Sequence, residues 1–301
     1  MKRVLLPTTE MDFIALKIMQ EYNQMKNVQY STVVLDKVGI LLKLINSLHK
    51  EKVQLPSWQV WVEALIHKLS FHSVSLLKLF EGTEIPFEND GNKIMILDKP
   101  SIVTLLRVVT ENYLTFYYLY ADNINDDEKQ FRLSVWRYCG IKQRTEFHIS
   151  TENAKNKQKE ELEILADLKN EVINSPFYNL FKKKEQEIII GGRNARLFNS
   201  WVKLLRDSSL RTELFKNMYG YKSNYSHSEF ISVLQVHAGN YVFNANAELE
   251  IELVLLHILI CKSIINLKDT FPTIKSNYDK LDSKITGEIQ FINQFGSRKN
   301  E

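Results

Sequence analysis

The fold is decided by the stretch 98–120, DKPSIVTLLRVVTENYLTFYYLY, which is typical of a buried α-helix. Between Pro100 and Tyr120 this stretch carries only two charged residues, Arg107 and Glu111. These residues are four positions apart, so they lie on one face of the helix. A charged pair on an apolar helix is costly to bury unless its members are partnered. The pair therefore marks either an internal structural contact or a polar site.

The composition favours helices over sheets. Of 301 residues, 44% are hydrophobic and 25% are charged, as in ordinary globular proteins. Only 10 glycines and 6 prolines are present, too few for the turns of a many-stranded sheet. We therefore predict an all-α fold, a multi-helix bundle. A short strand at 93–97 is compatible with one two-stranded ribbon, in which its partner would be 187–190.

Apolar periodicity and capping residues predict where the helices lie. Asp98 is expected to cap the helix of 98–120, with Pro100 in its first turn. The other main helices are predicted at 31–50, 57–80, 129–145 with an end near Gly140, 151–174, 246–267 and 278–292. Residues 1–90 would form an N-terminal helical subdomain and 91–301 a helical core domain, unless both belong to one continuous domain.

Charge and cysteine content point to a cytoplasmic protein. The net charge of +3 is too small to predict nucleic-acid binding by itself. The two cysteines, Cys139 and Cys261, lack the spacing of a metal site, and buried reduced thiols are expected. No window is apolar enough for a membrane span or a signal peptide. We expect no metal and no cofactor.

The segment 129–145 carries cations without acids, interleaved with aromatic residues. Such a mixture suits a surface that contacts phosphates or nucleic acid. The alternative is a solvated helix face whose aromatic side chains point into the core. The candidate RNA-binding residues are Arg132, Arg137, Lys142 and Arg144.

The segment 219–228, YGYKSNYSHS, is dense in hydroxyl groups and holds one histidine. Tyr219, Ser223 and His227 are spaced four apart and would share one helix face, with Tyr221 and Tyr225 in a second row. Histidine suits proton transfer near neutral pH, and an arginine held by a carboxylate can clamp a phosphate.

Together these residues would suffice for metal-independent RNA cleavage. His227 would act as general base or acid, a cation would stabilise the pentacovalent phosphate, and Arg107 and Glu111 would support the site. The alternative is a structural network between helices that joins the same side chains.

The chain resembles a bacterial all-helical family marked by an Arg-x3-Glu helix and a downstream Tyr/Ser/His segment. Such families are distantly similar to the HEPN superfamily, whose active site is an Arg-x4-6-His motif. Here 222–227, KSNYSH, has the x4 spacing, with Lys222 in place of the arginine. Lysine keeps the charge but loses the bidentate geometry. The match covers about 98–267.

The resemblance implies a dimeric ribonuclease of a defence or toxin–antitoxin system. Lys222, Ser223 and His227 would then be catalytic. The expected partners are RNA, a second copy of the chain and a partner protein from a defence or toxin–antitoxin pair. The other interpretation is a non-catalytic helical interaction or sensor protein, in which the same polar residues are structural.

Overall fold

A computed structural model of the chain describes residues 27–86, 93–215, 229–237 and 246–298. Across these ranges the protein is an all-α bundle with one small two-stranded sheet, as predicted. The first elements are α1 (Asn27–Lys50), α2 (Val62–Leu79), β1 (Thr83–Pro86), β2 (Lys93–Ile96) and α3 (Lys99–Phe116). They are followed by α4 (Asp126–Thr145), α5 (Glu152–Asn174), α6 (Lys183–Ile190) and α7 (Trp201–Asp207). The last are α8 (Phe230–His237), α9 (Asn246–Thr270), α10 (Pro272–Tyr278) and α11 (Ser283–Gly296).

Helix α3 begins as its sequence predicts. The Asp98 carboxylate accepts a hydrogen bond from the backbone N–H of Ser101 at 3.0 Å, and Pro100 lies in the first turn. The α-helix ends at Phe116, and the chain continues through a π-helical turn at Tyr117–Ala121. Turns of this type are rare in proteins overall, but those that occur are often found at functional sites.

The described chain divides into two compact units, and the first is built around α9. Its described residues are 27–54, 61–86, 93–117, 205–215, 229–237 and 246–298. Helix α1 packs against α2, α2 against α3, α3 against α9 and α9 against α1, so four helices enclose one core. Helices α10 and α11 pack against α9 from outside this ring. The central position that the apolar sequence of α9 predicts is confirmed.

The second unit comes from Leu55–Val60 and Tyr118–Leu204. Helix α4 packs against α5, and a 3-10 turn at Pro176–Leu180 follows α5. Its buried core consists of Phe131, Val135, Tyr138, Cys139, Leu168, Val172 and Ile189. Helix α5 is therefore held against α4 through the buried Leu168 and Val172.

The predicted division at residue 90, with one continuous domain as its alternative, stays a prediction. The chain contributes Leu55–Val60 to the second unit, enters it again at Tyr118 and returns to the first unit at Leu205. The reason is long-range packing, since α9 closes the ring that α1, α2 and α3 begin.

Two predicted elements are corrected by the structure. Strand β2 pairs antiparallel with β1, with Thr83 opposite Ile96, whereas 187–190 belongs to α6. The β-branched run forms a helix because its period buries Ile189 in the core of the second unit, and packing overrides strand propensity. Helix α4 continues through Gly140 to Thr145, and Gly140 is not among the residues with a left-handed backbone conformation.

Candidate functional site

Arg107 and Glu111 form an ion pair on α3 in the first unit. The Arg107 Nε donates a hydrogen bond to Glu111 Oε1 at 3.0 Å, as the i,i+4 spacing permits. The two side chains are 19% and 27% exposed, so the pair lies at the edge of the core. Neighbouring Leu106 and Thr110 are buried and fix the helix in the bundle. A guanidinium bound through Nε keeps a defined orientation of its fork.

The segment predicted to complete this site lies outside the described residues, which leave out 216–228. This concerns the candidates Tyr219, Tyr221, Lys222, Ser223, Tyr225 and His227. Their proximity to Arg107 and Glu111 stays a prediction. The described chain resumes at Glu229, directly before α8.

Arg132 on α4 is engaged in a local network of its own unit. Its Nη1 donates to the Tyr118 carbonyl oxygen at 3.1 Å and to Asp122 Oδ2 at 2.6 Å. Its Nη2 donates to Glu128 Oε1 at 2.9 Å, and only 12% of the side chain is exposed. The guanidinium carbon also lies 4.5 Å from the centroid of the Tyr118 ring. Arg132 therefore ties the π-helical turn to α4, which is a structural role.

The three other predicted RNA-binding residues of α4 point in different directions. Arg144 pairs with Glu161 of α5 at 3.2 Å and stays 58% exposed. The methylene groups of Lys142 lie against Gly192, where a Cβ would come within 2.6 Å of Lys142 Cγ. Arg137 and Arg144 are seven residues, about two turns, apart and share a face, but Lys142 lies away from it. The four predicted RNA-binding residues thus do not form one continuous stripe.

Two aromatic side chains of α4 point into the core, as in the alternative interpretation of 129–145 as a solvated helix face. Phe131 and Tyr138 are 4% and 2% exposed and belong to the core of the second unit. The Tyr138 hydroxyl donates to the Ile190 carbonyl oxygen at 2.7 Å. Both rings stabilise the packing of α4 and are not available to stack with bases.

The first unit contains a buried polar cluster that sequence reasoning missed. Lys37 of α1 pairs with Glu288 of α11 at 2.5 Å, with side chains 5% and 13% exposed. The Tyr30 hydroxyl lies 2.9 Å from Nδ1 of His257, and burial raises the pKa of this phenol. Burial also raises the pKa of the Cys261 thiol, which therefore stays protonated and is a poor nucleophile.

One sequence signal could have revealed this cluster. Tyr30 and Lys37 are seven residues apart on α1, in the same stripe as the buried Val34 and Leu41. A lysine inside an apolar helical stripe requires a buried counter-charge. Glu288 on α11 provides that charge, but its distance in the sequence gives no hint of the pairing.

Two further properties bear on function. Within the described ranges, no three His, Cys, Asp or Glu side chains are grouped so that they could hold a metal ion. Among the helices that the structure describes, none combines the length and apolar character that crossing a bilayer requires.

Comparisons of the chain with protein-family models, with curated proteins and with solved structures found no match.

Proposed function

We propose that the protein acts on RNA as a metal-independent endoribonuclease of a bacterial defence or toxin system. The observation that carries this proposal is the Arg107–Glu111 pair, a fixed and partly exposed ion pair on an otherwise apolar helix. An arginine held by a carboxylate is pre-oriented, and its guanidinium fork can clamp a phosphate. The HEPN-like spacing of Lys222 and His227 supplies the reacting groups.

In this mechanism the ribose 2′-oxygen attacks the adjacent phosphorus, and the bond from phosphorus to the 5′-oxygen breaks. His227 removes the 2′-hydroxyl proton and water protonates the leaving 5′-oxygen, or water takes the first proton and His227 donates the second. The ammonium group of Lys222 stabilises the charge of the pentacovalent phosphate, and Ser223 orients a phosphate oxygen. The products are a 2′,3′-cyclic phosphate and a 5′-hydroxyl end, and a DNA strand is not cleaved.

The experiment is incubation of the purified chain with RNA in a chelating buffer, followed by analysis of the ends. Wild type and His237→Ala, a control on exposed α8, are expected to cleave, and His227→Ala is not. Lys222→Arg restores the complete Arg-x4-His motif and should cleave at least as fast as wild type. Equal cleavage by wild type and His227→Ala, or none by either, would contradict the nuclease proposal.

A second candidate is a non-catalytic interaction protein, and α8 favours it. Phe230, Val233 and Leu234 are 73%, 54% and 43% exposed, and their spacing puts them on one side of the helix. An exposed apolar stripe of this kind is typical of a protein-binding surface. Under this candidate a second copy of the chain covers the stripe. Light scattering would then show a dimer that Leu234→Asp converts to a monomer, with no RNA cleavage by either.

A further inference from the structure

The loop between α6 and α7 carries cationic and aromatic side chains that none of the sites above uses. It runs from Gly191 to Ser200 in the second unit and is anchored on α4. The Tyr138 hydroxyl donates to the Ile190 carbonyl oxygen at 2.7 Å, directly before the loop. The Gln143 side-chain amide donates to the Gly192 carbonyl oxygen at 3.3 Å. The loop therefore has a fixed position on the helix.

The backbone of this loop is strained at its tip. Leu197 and Phe198 have φ of 47° and 65°, a left-handed conformation that residues other than glycine rarely adopt. The Phe198 N–H donates to Asn194 Oδ1 at 2.9 Å, and Asn199 donates to the Arg196 carbonyl oxygen at 2.8 Å. Strain of this kind persists where the surroundings impose it and is concentrated at binding sites. Its effect here is to pack Leu197 against the core while Phe198 stays 42% exposed.

The exposed ring of Phe198 packs against a second aromatic ring, which in turn packs against a third. Its centroid lies 6.0 Å from that of Phe181, which lies 6.4 Å from that of the buried Phe131. The same loop holds Arg196, whose guanidinium carbon lies 3.8 Å from the centroid of the Trp201 ring. The loop thus presents an aromatic face and a stacked guanidinium, two surfaces on which a base can stack.

Exposed cationic side chains lie beside these residues in the chain. Lys182, Lys183 and Lys184 follow Phe181 directly in the chain, and Arg193 belongs to the loop. All four side chains are exposed, and none forms an ion pair with an acid in the part of the chain that the structure describes. The nearby carboxylate of Glu185 accepts a hydrogen bond from the backbone N–H of Lys182 at 2.9 Å.

We propose that this surface, defined by Lys182–Lys184, Arg193, Arg196 and Phe198, binds single-stranded RNA. One unpaired base stacks on Phe198, and the cations contact the phosphates on either side of it. A duplex is excluded because its bases are already stacked and paired. The inference rests on the proposed function in naming RNA as the ligand, but it does not depend on cleavage. The surface would hold the substrate, and none of its residues is among the proposed catalytic residues.

The test is fluorescence anisotropy of a labelled oligouridine with the full-length chain in chelating buffer, in the His227→Ala background. Phe198→Leu keeps an apolar side chain against Phe181 but removes the ring, and it should weaken binding about tenfold. Replacing Lys182, Lys183 and Lys184 by Gln should make the plot of log K against log[salt] less steep. Its slope should change by about 0.7 for each phosphate contact that is lost. Thermal unfolding monitored by circular dichroism checks that each variant is folded.

The control is a matched basic cluster in the first unit. Lys43, Lys50 and Lys280 line a groove of about 210 Å³ at the end of α1, and their replacement by Gln removes the same charge. The control should bind RNA as the parent does. Four outcomes would each overturn the proposal. They are equal losses of RNA affinity in both triple variants, an unchanged affinity in Phe198→Leu, tighter binding of the matching DNA, and no binding by the parent. If the variants show the expected binding pattern but the wild-type protein does not cleave RNA, only the nuclease proposal is refuted.

Discussion

The Tyr30 hydroxyl lies 2.9 Å from Nδ1 of His257 in the core of the first unit, where the histidine is fully buried. Burial, and to a smaller extent the positive charge of Lys37, lowers the pKa of His257 from 6.5 to about 3. The imidazole is therefore neutral in the folded protein under conditions where the unfolded chain binds a proton. The stability of the first unit is consequently linked to pH.

We expect the free energy of unfolding to fall as the pH decreases from 6.5 toward about 3, because the unfolded state takes up a proton that the folded state does not. One such group contributes a slope of up to about 1.4 kcal/mol per pH unit. The amide of His257→Gln can still bond to Tyr30 but does not titrate. The free energy of unfolding of this variant, measured with urea at several pH values, should therefore depend less steeply on pH. Identical slopes for the two proteins would mean that His257 is not the responsible group.

The buried pair of Lys37 and Glu288 should be costly to break from one side. Lys37→Met leaves a carboxylate that is only 13% exposed without its counter-charge, and the expected loss is about 3–5 kcal/mol. Lys37→Met combined with Glu288→Leu should recover most of that loss, since no charge then remains buried. The matched control is Lys275→Met, which breaks the exposed pair with Asp279 and should cost about 1 kcal/mol or less. Chemical denaturation measures all three, and a double variant as unstable as the single one would contradict the argument.

Local sequence signals predicted the elements whose causes are local. The cap at Asp98, the end of α5 before Pro176 and the contact of Arg107 with Glu111 all depend on residues within one turn. The pairing of β1 with β2 was missed because Thr83–Pro86 lacks alternation and its partner 93–97 is too short to specify a register. The packing of α9 on α1 and α3 could not be derived from the sequence, because these helices lie far away from α9 in the chain.

The partners of the cations on α4 could not be predicted from the segment 129–145 alone. The window 129–145 holds cations without acids, but the acids that bond Arg132 come from Asp122 and Glu128, just before it. The loop at 191–200 was overlooked for a different reason. Its left-handed residues are Leu197 and Phe198, neither of which is a residue that signals such a conformation. Only the packing of the loop on the core requires it.

The cap of α3 is predicted to be worth about 1 kcal/mol. Asp98→Ala removes the acceptor that bonds the Ser101 N–H, and it should lower the free energy of unfolding by about 0.5–2 kcal/mol. Asp98→Asn retains a side-chain oxygen at the same position and should be nearly neutral. Urea denaturation distinguishes the two, and a loss as large for Asn as for Ala would show that the negative charge, and not the hydrogen bond, is what matters.

Helix α11 approaches α9 closely at a glycine, Gly296. A Cβ on Gly296 would come 2.2 Å from Cγ2 of Ile258, which is fully buried, and the Gly296 carbonyl oxygen accepts a hydrogen bond from the Arg211 N–H at 2.9 Å. Gly296→Ala must therefore separate the two helices, and we expect a loss of about 1–3 kcal/mol.

Gly140 in α4 provides the matched control for this substitution, since a Cβ there meets no atom within 4 Å. Gly140→Ala should stabilise the protein by about 0.5–1 kcal/mol through helix propensity and lower entropy of the unfolded chain. Combining Gly296→Ala with Ile258→Ala creates room for the new methyl group, so the double variant should lose less stability than the sum of the two single losses. Strict additivity in denaturant unfolding would show that Gly296 and Ile258 are not in contact, and that α11 packs on α9 in some other way.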